Sequence, residues 1–182
     1  YFPEFMDLSR RIQEDLQDAN WIRRIYENLL DKSDDYHKYN DLADGILVIL
    51  KDEEWARKIY ADLEEKCVKE TDFGKLGVIV NEKFNDKEWT QRLLSSAEDK
   101  AQDLSGHIFV AGSVLALLSD RQWAESIYAK ADAECSDRDQ YYTLITSVWN
   151  QTHDKELLKK MHRSAEEKLN TTHDLVYLAE SI

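Results

Sequence analysis

Histidines and carboxylates near the C-terminal end form the one cluster whose residue types suggest metal chemistry. His153, His162 and His173 lie there with Asp154 and Glu166. Because His162 and Glu166 are four residues apart, they share one face of a helix and offer two ligands to an ion. The spacing fixes no third ligand, and protein zinc sites use at least three. We therefore predict no metal site.

Catalytic motifs are missing from the rest of the sequence. No serine or cysteine stands in a nucleophile motif, no glycine-rich loop resembles a phosphate-binding site, and no His-Glu-x-x-His pair occurs. The many carboxylates are what an acidic surface supplies in any case. We predict no catalytic residues, no cofactor and no enzymatic activity.

Tryptophan recurs with a period of 34 residues, and this repeat organises the chain. The column comprises Trp21, Trp55, Trp89 and Trp123, with Leu157 in the fifth place. Three residues before each member stands an aspartate: Asp18, Asp52, Asp86, Asp120 and Asp154. Apolar residues four and eight positions after each member share its helical face. We predict a helix B in each repeat, with the aspartate as N-cap and the tryptophan column as repeat core.

A second helical stripe, helix A, lies between successive helices B. Its first column is mostly aromatic: Phe5, Tyr39, Phe73, His107, Tyr141 and Leu175. Leucine or valine and then a mostly small residue follow, which lets two helices approach closely. The stretch from His107 to Leu118 is the most apolar, so we expect it to be buried on most sides, with Gly106 and Gly112 leaving room for a pocket.

The two stripes predict an all-α protein of about five 34-residue helix-turn-helix repeats in one domain, residues 1–182. The repeats are 1–34, 35–68, 69–102, 103–136 and 137–170, followed by a short capping helix at 171–182. Predicted helices A span about 4–16, 37–50, 72–84 with Asp72 as cap, and 139–152. Predicted helices B span about 19–32, 53–67, 87–101 and 155–169. We expect the chain to be part of a longer protein.

Composition narrows the class of partner. The net charge of −13 disfavours direct nucleic-acid binding, because that binding depends largely on lysine and arginine neutralising phosphates.

No apolar stretch approaches 18 residues and no signal peptide is evident, which excludes a membrane span and favours the cytoplasm. Cys67 and Cys135 share a column two repeats apart, too far for a disulfide, so we predict reduced thiols.

These stripes resemble the tetratricopeptide repeat (TPR) over nearly the whole chain. In its first helix, Phe73, Leu76-Gly77 and Val80 follow the family's outline, and in its second helix Ala124, Tyr128 and Ala131 do so. The segment Trp55 to Tyr60 is similar instead to the half-a-TPR (HAT) repeat of RNA-processing assemblies, which is our second choice. Both resemblances imply a right-handed α-solenoid with helix A on the concave side, acting as a scaffold.

The resemblance implies a function for the concave face, where a peptide or helix of a partner protein would bind. The implied partner-binding residues are Asn40, Asp44, Leu47, Val78, Asn81, Ile108, Leu115, Tyr142, Thr146 and Trp149. Trp149 stands outside the repeating column, so it is either an anchor for the partner or a contact of the terminal helix. Tyr26, Tyr60 and Tyr128 are expected to pack between repeats with their hydroxyls in water.

We therefore predict a protein-interaction scaffold with an apolar or basic partner segment, and leave its oligomeric state open. The acidic surface would speed encounters with a basic partner and make them sensitive to salt. The alternatives are a regulatory or sensor domain that binds a small ligand between repeats, and a HAT-like scaffold of an RNA-processing assembly.

Overall fold

The backbone of residues 2–30 and 36–169 is described in the computed structural model, with side chains for 7–30 and 38–169. In these ranges the protein is all-α, with ten α-helices packed in sequential antiparallel pairs. The helices divide between Cys67 and Val68 into two compact units. Residues 171–182, the predicted capping helix, lie outside the described residues. The predicted single domain stays a prediction.

The first unit contains two helix pairs. The helices are α1 (Phe2–Arg11), α2 (Ala19–Leu30), α3 (Tyr36–Gly45) and α4 (Glu53–Glu64). The first helix of each pair ends in a π-helical turn, Ile12–Leu16 after α1 and Ile46–Leu50 after α3. Helix α4 ends three residues before the predicted position 67.

The second unit contains three helix pairs. They are α5 (Glu70–Phe84) with α6 (Lys87–Lys100), α7 (Leu104–Leu118) with α8 (Arg121–Glu134), and α9 (Arg138–Thr152) with α10 (Lys155–Lys168). Asp72 is not the N-cap of α5 as predicted; the cap is Lys69, whose backbone N–H donates to the Asp72 carboxylate at 3.0 Å. The helices A of this unit, α5, α7 and α9, contact one another in succession.

The aspartate column caps the helices B, as the sequence predicts. In four of the five repeats a carboxylate oxygen accepts a hydrogen bond from the backbone N–H of the tryptophan three residues later, at 2.8 Å for Asp18 and 3.0 Å for Asp52, Asp86 and Asp120. Asp154 accepts in the same way from the N–H of Leu157 at 3.2 Å. The spacing of aspartate and tryptophan is therefore the spacing of an N-cap and its third helical residue.

Each A-to-B turn also contains a left-handed residue that sequence reasoning missed. The residues just before the capping aspartates have φ between 50° and 55°: Gln17, Lys51, Asn85, Ser119 and His153. In the second unit their N–H groups donate to the carbonyl four residues back, as Ser119 does to Leu115 at 3.1 Å. These residues occupy the position after the helix where glycine is usual, and none is glycine.

We expect Ser119→Gly to stabilise the protein by about 0.5–1 kcal/mol, because glycine removes left-handed strain that exceeds its own entropic cost. Asn85→Gly is the matched control, and it should gain less because asparagine tolerates this conformation. Urea unfolding of both variants measures the difference. Equal gains in the two would contradict left-handed strain at Ser119.

The buried face of the helices B contains the predicted columns and is wider than they are. In α4, α6, α8 and α10, every residue four and eight positions after the tryptophan column is buried. The residues immediately after the tryptophan column are all buried: Ile22, Ala56, Thr90, Ala124 and Leu158. The tyrosines five positions after it, Tyr26, Tyr60 and Tyr128, are also completely buried, so the prediction that their hydroxyls reach water is wrong. The tryptophans consequently lie at the edge of the stripe rather than at its centre.

At this edge Trp55 and Trp123 lie beside the preceding helix B of their own unit. Trp55 contacts α2, with the Arg23 guanidinium 4.6 Å from its ring centroid, and the Trp123 indole N–H donates to Glu98 of α6 at 2.6 Å. Trp89 and Leu157 are buried, and Trp55 and Trp123 are half-buried. Trp21 is 41% exposed, so its prediction as core is wrong.

Candidate interaction surface on the second unit

Seven of the predicted partner-binding residues lie on the three consecutive helices A of the second unit, and we call them the helix-A patch. They are Val78 and Asn81 on α5, Ile108 and Leu115 on α7, and Tyr142, Thr146 and Trp149 on α9. They occupy three columns of the 34-residue repeat, so they recur at equivalent places on helices that touch. None of them is charged, although 34% of the chain is.

The patch differs in exposure from one helix to the next. Ile108 is only 8% exposed, because α7 is packed between α5 and α9, and so it is core rather than a groove residue. Val78, Asn81 and Leu115 are half-buried. Tyr142 on α9 is 39% exposed. The aromatic end of the patch therefore presents the most accessible apolar surface.

Trp149 is held at that end by its own turn. Its ring meets the His153 imidazole edge-on at 5.3 Å between centroids, and its carbonyl accepts from the His153 N–H at 2.9 Å. The Thr146 hydroxyl donates to the Tyr142 carbonyl at 2.7 Å, so it is already used within α9. The indole is thus fixed in place while part of it stays accessible.

The three predicted residues of the first unit have a different environment. Asp44 and Asn40 accept hydrogen bonds from the buried Tyr60 hydroxyl, at 2.7 Å and 3.2 Å. Leu47 is half-buried in the π-helical end of α3. The two polar side chains therefore have a structural task in this unit, which the sequence pattern did not indicate. Their predicted role in partner binding stays a prediction.

A cavity of about 240 Å³ lies between the last two helix pairs, and we call it the inter-pair cavity. Its lining is Leu115, Ser119, Arg121, Ala124, Glu125, Tyr128, Gln151, Thr152 and Leu157. Leu115 belongs both to this lining and to the helix-A patch, so the two features adjoin. Gly112 lets the Gln151 side chain of this lining pack closely against α7, since a Cβ there would lie 2.5 Å from the Gln151 side-chain oxygen.

Most polar groups of the inter-pair cavity are paired within the protein. The Arg121 guanidinium donates to Glu125 at 2.8 Å and contacts Asp154, the N-cap of α10. At the other side, the Tyr128 hydroxyl donates to the Gln151 side-chain oxygen. Burial raises the pKa of Tyr128 to about 12, so this hydroxyl stays protonated at neutral pH. The cavity is therefore neutral in its main features, with leucine and alanine side chains as its apolar walls.

Burial shifts the pKa of two further side chains, a cysteine and a histidine. Burial raises the pKa of the Cys135 thiol to about 12, which removes nearly all thiolate at neutral pH. Cys67 and Cys135 form no disulfide, as predicted. Burial lowers the pKa of His162, and Glu166 opposes that change. Among the described residues, no group of three or more histidine, cysteine or acidic side chains could hold a metal ion.

Fold and surface together define the class: an all-α protein of antiparallel helix pairs with an uncharged patch across three successive first helices. Comparison with protein-family models, curated proteins and solved structures found no match for the chain. Within ranges 2–30 and 36–169, no helix has the length and apolar character needed to cross a membrane.

Proposed function

We propose that this chain is a protein-interaction module that binds a peptide or helix of a partner along the helix-A patch. The proposal includes a TPR-like, right-handed solenoid arrangement of the helix pairs, with the patch on its concave side. The observation that carries it is the set of uncharged residues on three touching helices, ending at the half-buried Trp149 and the 39% exposed Tyr142. Aromatic side chains in such positions are typical anchors of protein interfaces.

The charge of the chain indicates the chemistry of the partner. With a net charge of −13, the protein attracts basic segments and repels acidic ones. The uncharged patch supplies apolar contact area, while long-range attraction comes from the acidic residues elsewhere. We therefore expect the bound segment to combine apolar anchors with lysine or arginine, and its association rate to fall as salt rises.

Selection of peptides from a random displayed library on the whole chain tests this function. Tyr142→Ala and Trp149→Ala should each weaken a selected peptide tenfold or more, because both remove an aromatic anchor. Val68→Ala is the control, since Val68 is 72% exposed and lies outside the patch. Fluorescence polarisation gives the dissociation constants, and circular dichroism verifies that the helices are retained.

Two outcomes would contradict the proposal. One is a library from which nothing is enriched above an unrelated helical protein used in parallel. The other is a set of peptides that bind the wild type, both aromatic variants and Val68→Ala equally well, which would place binding outside the patch.

A regulatory domain that binds a small ligand is the second candidate, because the inter-pair cavity offers a partly open space between the last two helix pairs. A ligand that binds only the folded protein raises its stability with its excess over the dissociation constant. Thermal-shift measurements with a metabolite collection separate this reading from peptide binding. One result would favour the small ligand: a melting temperature that rises with metabolite concentration in the wild type, but not in a variant whose cavity is filled by a larger side chain.

A further inference from the structure

The inter-pair cavity has the size of one amino-acid side chain rather than of a cofactor. Sites for drug-sized ligands usually measure roughly 300–1,000 Å³, and this cavity measures about 240 Å³. Its mouth is partly open, and it adjoins the helix-A patch through Leu115. A segment lying on the patch would therefore pass next to this space.

The chemistry of the lining selects for an uncharged occupant. A charged group would have to compete with the ion pairs that Arg121 makes with Glu125 and Asp154. The Tyr128 hydroxyl is engaged with the Gln151 oxygen, which places no charge in the interior. The rest of the lining is uncharged: the apolar walls are Leu115, Ala124 and Leu157, and the hydroxyl-bearing residues are Ser119 and Thr152. An apolar side chain gains free energy by leaving water for such a site, because its apolar surface is removed from water.

We propose that the inter-pair cavity is the specificity pocket for one large apolar side chain, leucine or phenylalanine in size, of the partner segment that binds the helix-A patch. This inference rests on the proposed function and adds the residue type that the partner presents. Continuity through Leu115 places the pocket beside the Leu115 end of the patch, whereas Tyr142 and Trp149 contact other parts of the same segment. The mouth residues Arg121 and Glu125 are 65% and 41% exposed, so they also offer a rim to polar neighbours of the anchor.

A double-mutant cycle on a peptide selected from the display library tests the pocket. Alanine scanning of the peptide first identifies its apolar anchor. On the wild-type protein, replacing the anchor by alanine should weaken binding tenfold or more. On Ala124→Leu, which fills the pocket from α8, the unmodified peptide should already bind tenfold more weakly, and the anchor replacement should then change affinity less than threefold.

Two further variants keep the outcome interpretable. If Ala124→Leu lowers the helical content, Leu157→Phe fills the same pocket from α10 and takes its place in the cycle. A different result is that Tyr142→Ala and Trp149→Ala weaken peptide binding, while the effects of Ala124→Leu and of the anchor replacement on the binding free energy simply add. The pocket inference is then wrong while the proposed function stands. If the aromatic variants leave affinity unchanged, the proposed function fails.

A free small molecule is the competing occupant, and N-acetyl-phenylalaninamide is the probe for it. Should this probe raise the melting temperature of the wild type but not of Ala124→Leu, while no peptide couples to the pocket, the cavity is a small-molecule site and the inference is overturned. Coupling of the peptide anchor with Ala124→Leu supports the inference.

Discussion

Trp89→Ala should lower the free energy of unfolding by about 3–5 kcal/mol, the usual cost of truncating a buried aromatic side chain. Trp89 is 8% exposed and stacks on Phe84, with 6.0 Å between ring centroids and 17° between ring planes. Truncation removes this contact and leaves a cavity that neighbouring helices fill only partly. Urea unfolding followed by far-ultraviolet circular dichroism measures the loss.

Trp21→Ala is the matched control for that prediction, because the two residues occupy the same position of the repeat. The Trp21 side chain is 41% exposed, and alanine is the better helix former. We expect a loss below about 1 kcal/mol, as for other partly exposed positions. Both aspartate caps stay intact, since the caps bind backbone N–H groups. Equal losses of unfolding free energy in Trp89→Ala and Trp21→Ala would contradict the difference in burial between these two tryptophans.

Local features of the fold could be predicted from the sequence because they depend on neighbours in the chain. The aspartate caps follow from a spacing of three residues, and the helix pairs follow from two stripes repeated every 34 residues. The left-handed turn residues are also local, yet they were missed because no glycine marks them. Their position just before each capping aspartate is a signal that could have found them.

Features that depend on contacts with other helices could not be predicted from the sequence in this way. Whether a column tryptophan is buried depends on the helix beside it, which Trp55 has in α2. The burial of Tyr60 depends on Asp44 and Asn40, which lie on another helix and supply its hydrogen bonds. Without such partners a tyrosine hydroxyl would be costly to bury, so the prediction of a solvated hydroxyl was reasonable from the sequence.

The candidate surface illustrates the same limit. The sequence pattern predicted which positions of the repeat would bind a partner, and seven of these residues, the helix-A patch, lie on three touching helices. Periodicity could not show that Ile108 is covered, because coverage is a property of the packing of α7 between its neighbours. The lining of the inter-pair cavity comes from two helix pairs, and the close approach of Gln151 to Gly112 is likewise a contact between helices that no spacing rule supplies.

Tyr128 links stability to pH in the alkaline range. Burial raises its pKa in the folded protein from 10.0 to about 12. Above pH 10 the unfolded chain therefore releases the phenolic proton while the folded chain retains it, so unfolding is favoured by rising pH. The effect is absent below pH 10, grows between pH 10 and the folded pKa, and levels off above it.

We expect the wild type to lose about 2 kcal/mol more stability than Tyr128→Phe between pH 9 and pH 11.5, from the free-energy equivalent of a shift of this size. Phenylalanine has no proton to release, and lysines and other tyrosines titrate alike in both proteins, so their contributions cancel. Tyr128→Phe also loses the hydrogen bond to Gln151, but that loss is present at both pH values and drops out of the comparison. Urea unfolding at the two pH values measures the difference. Parallel losses in the two proteins would mean that the folded protein releases the Tyr128 proton as readily as the unfolded chain, and hence that the hydroxyl is in contact with water.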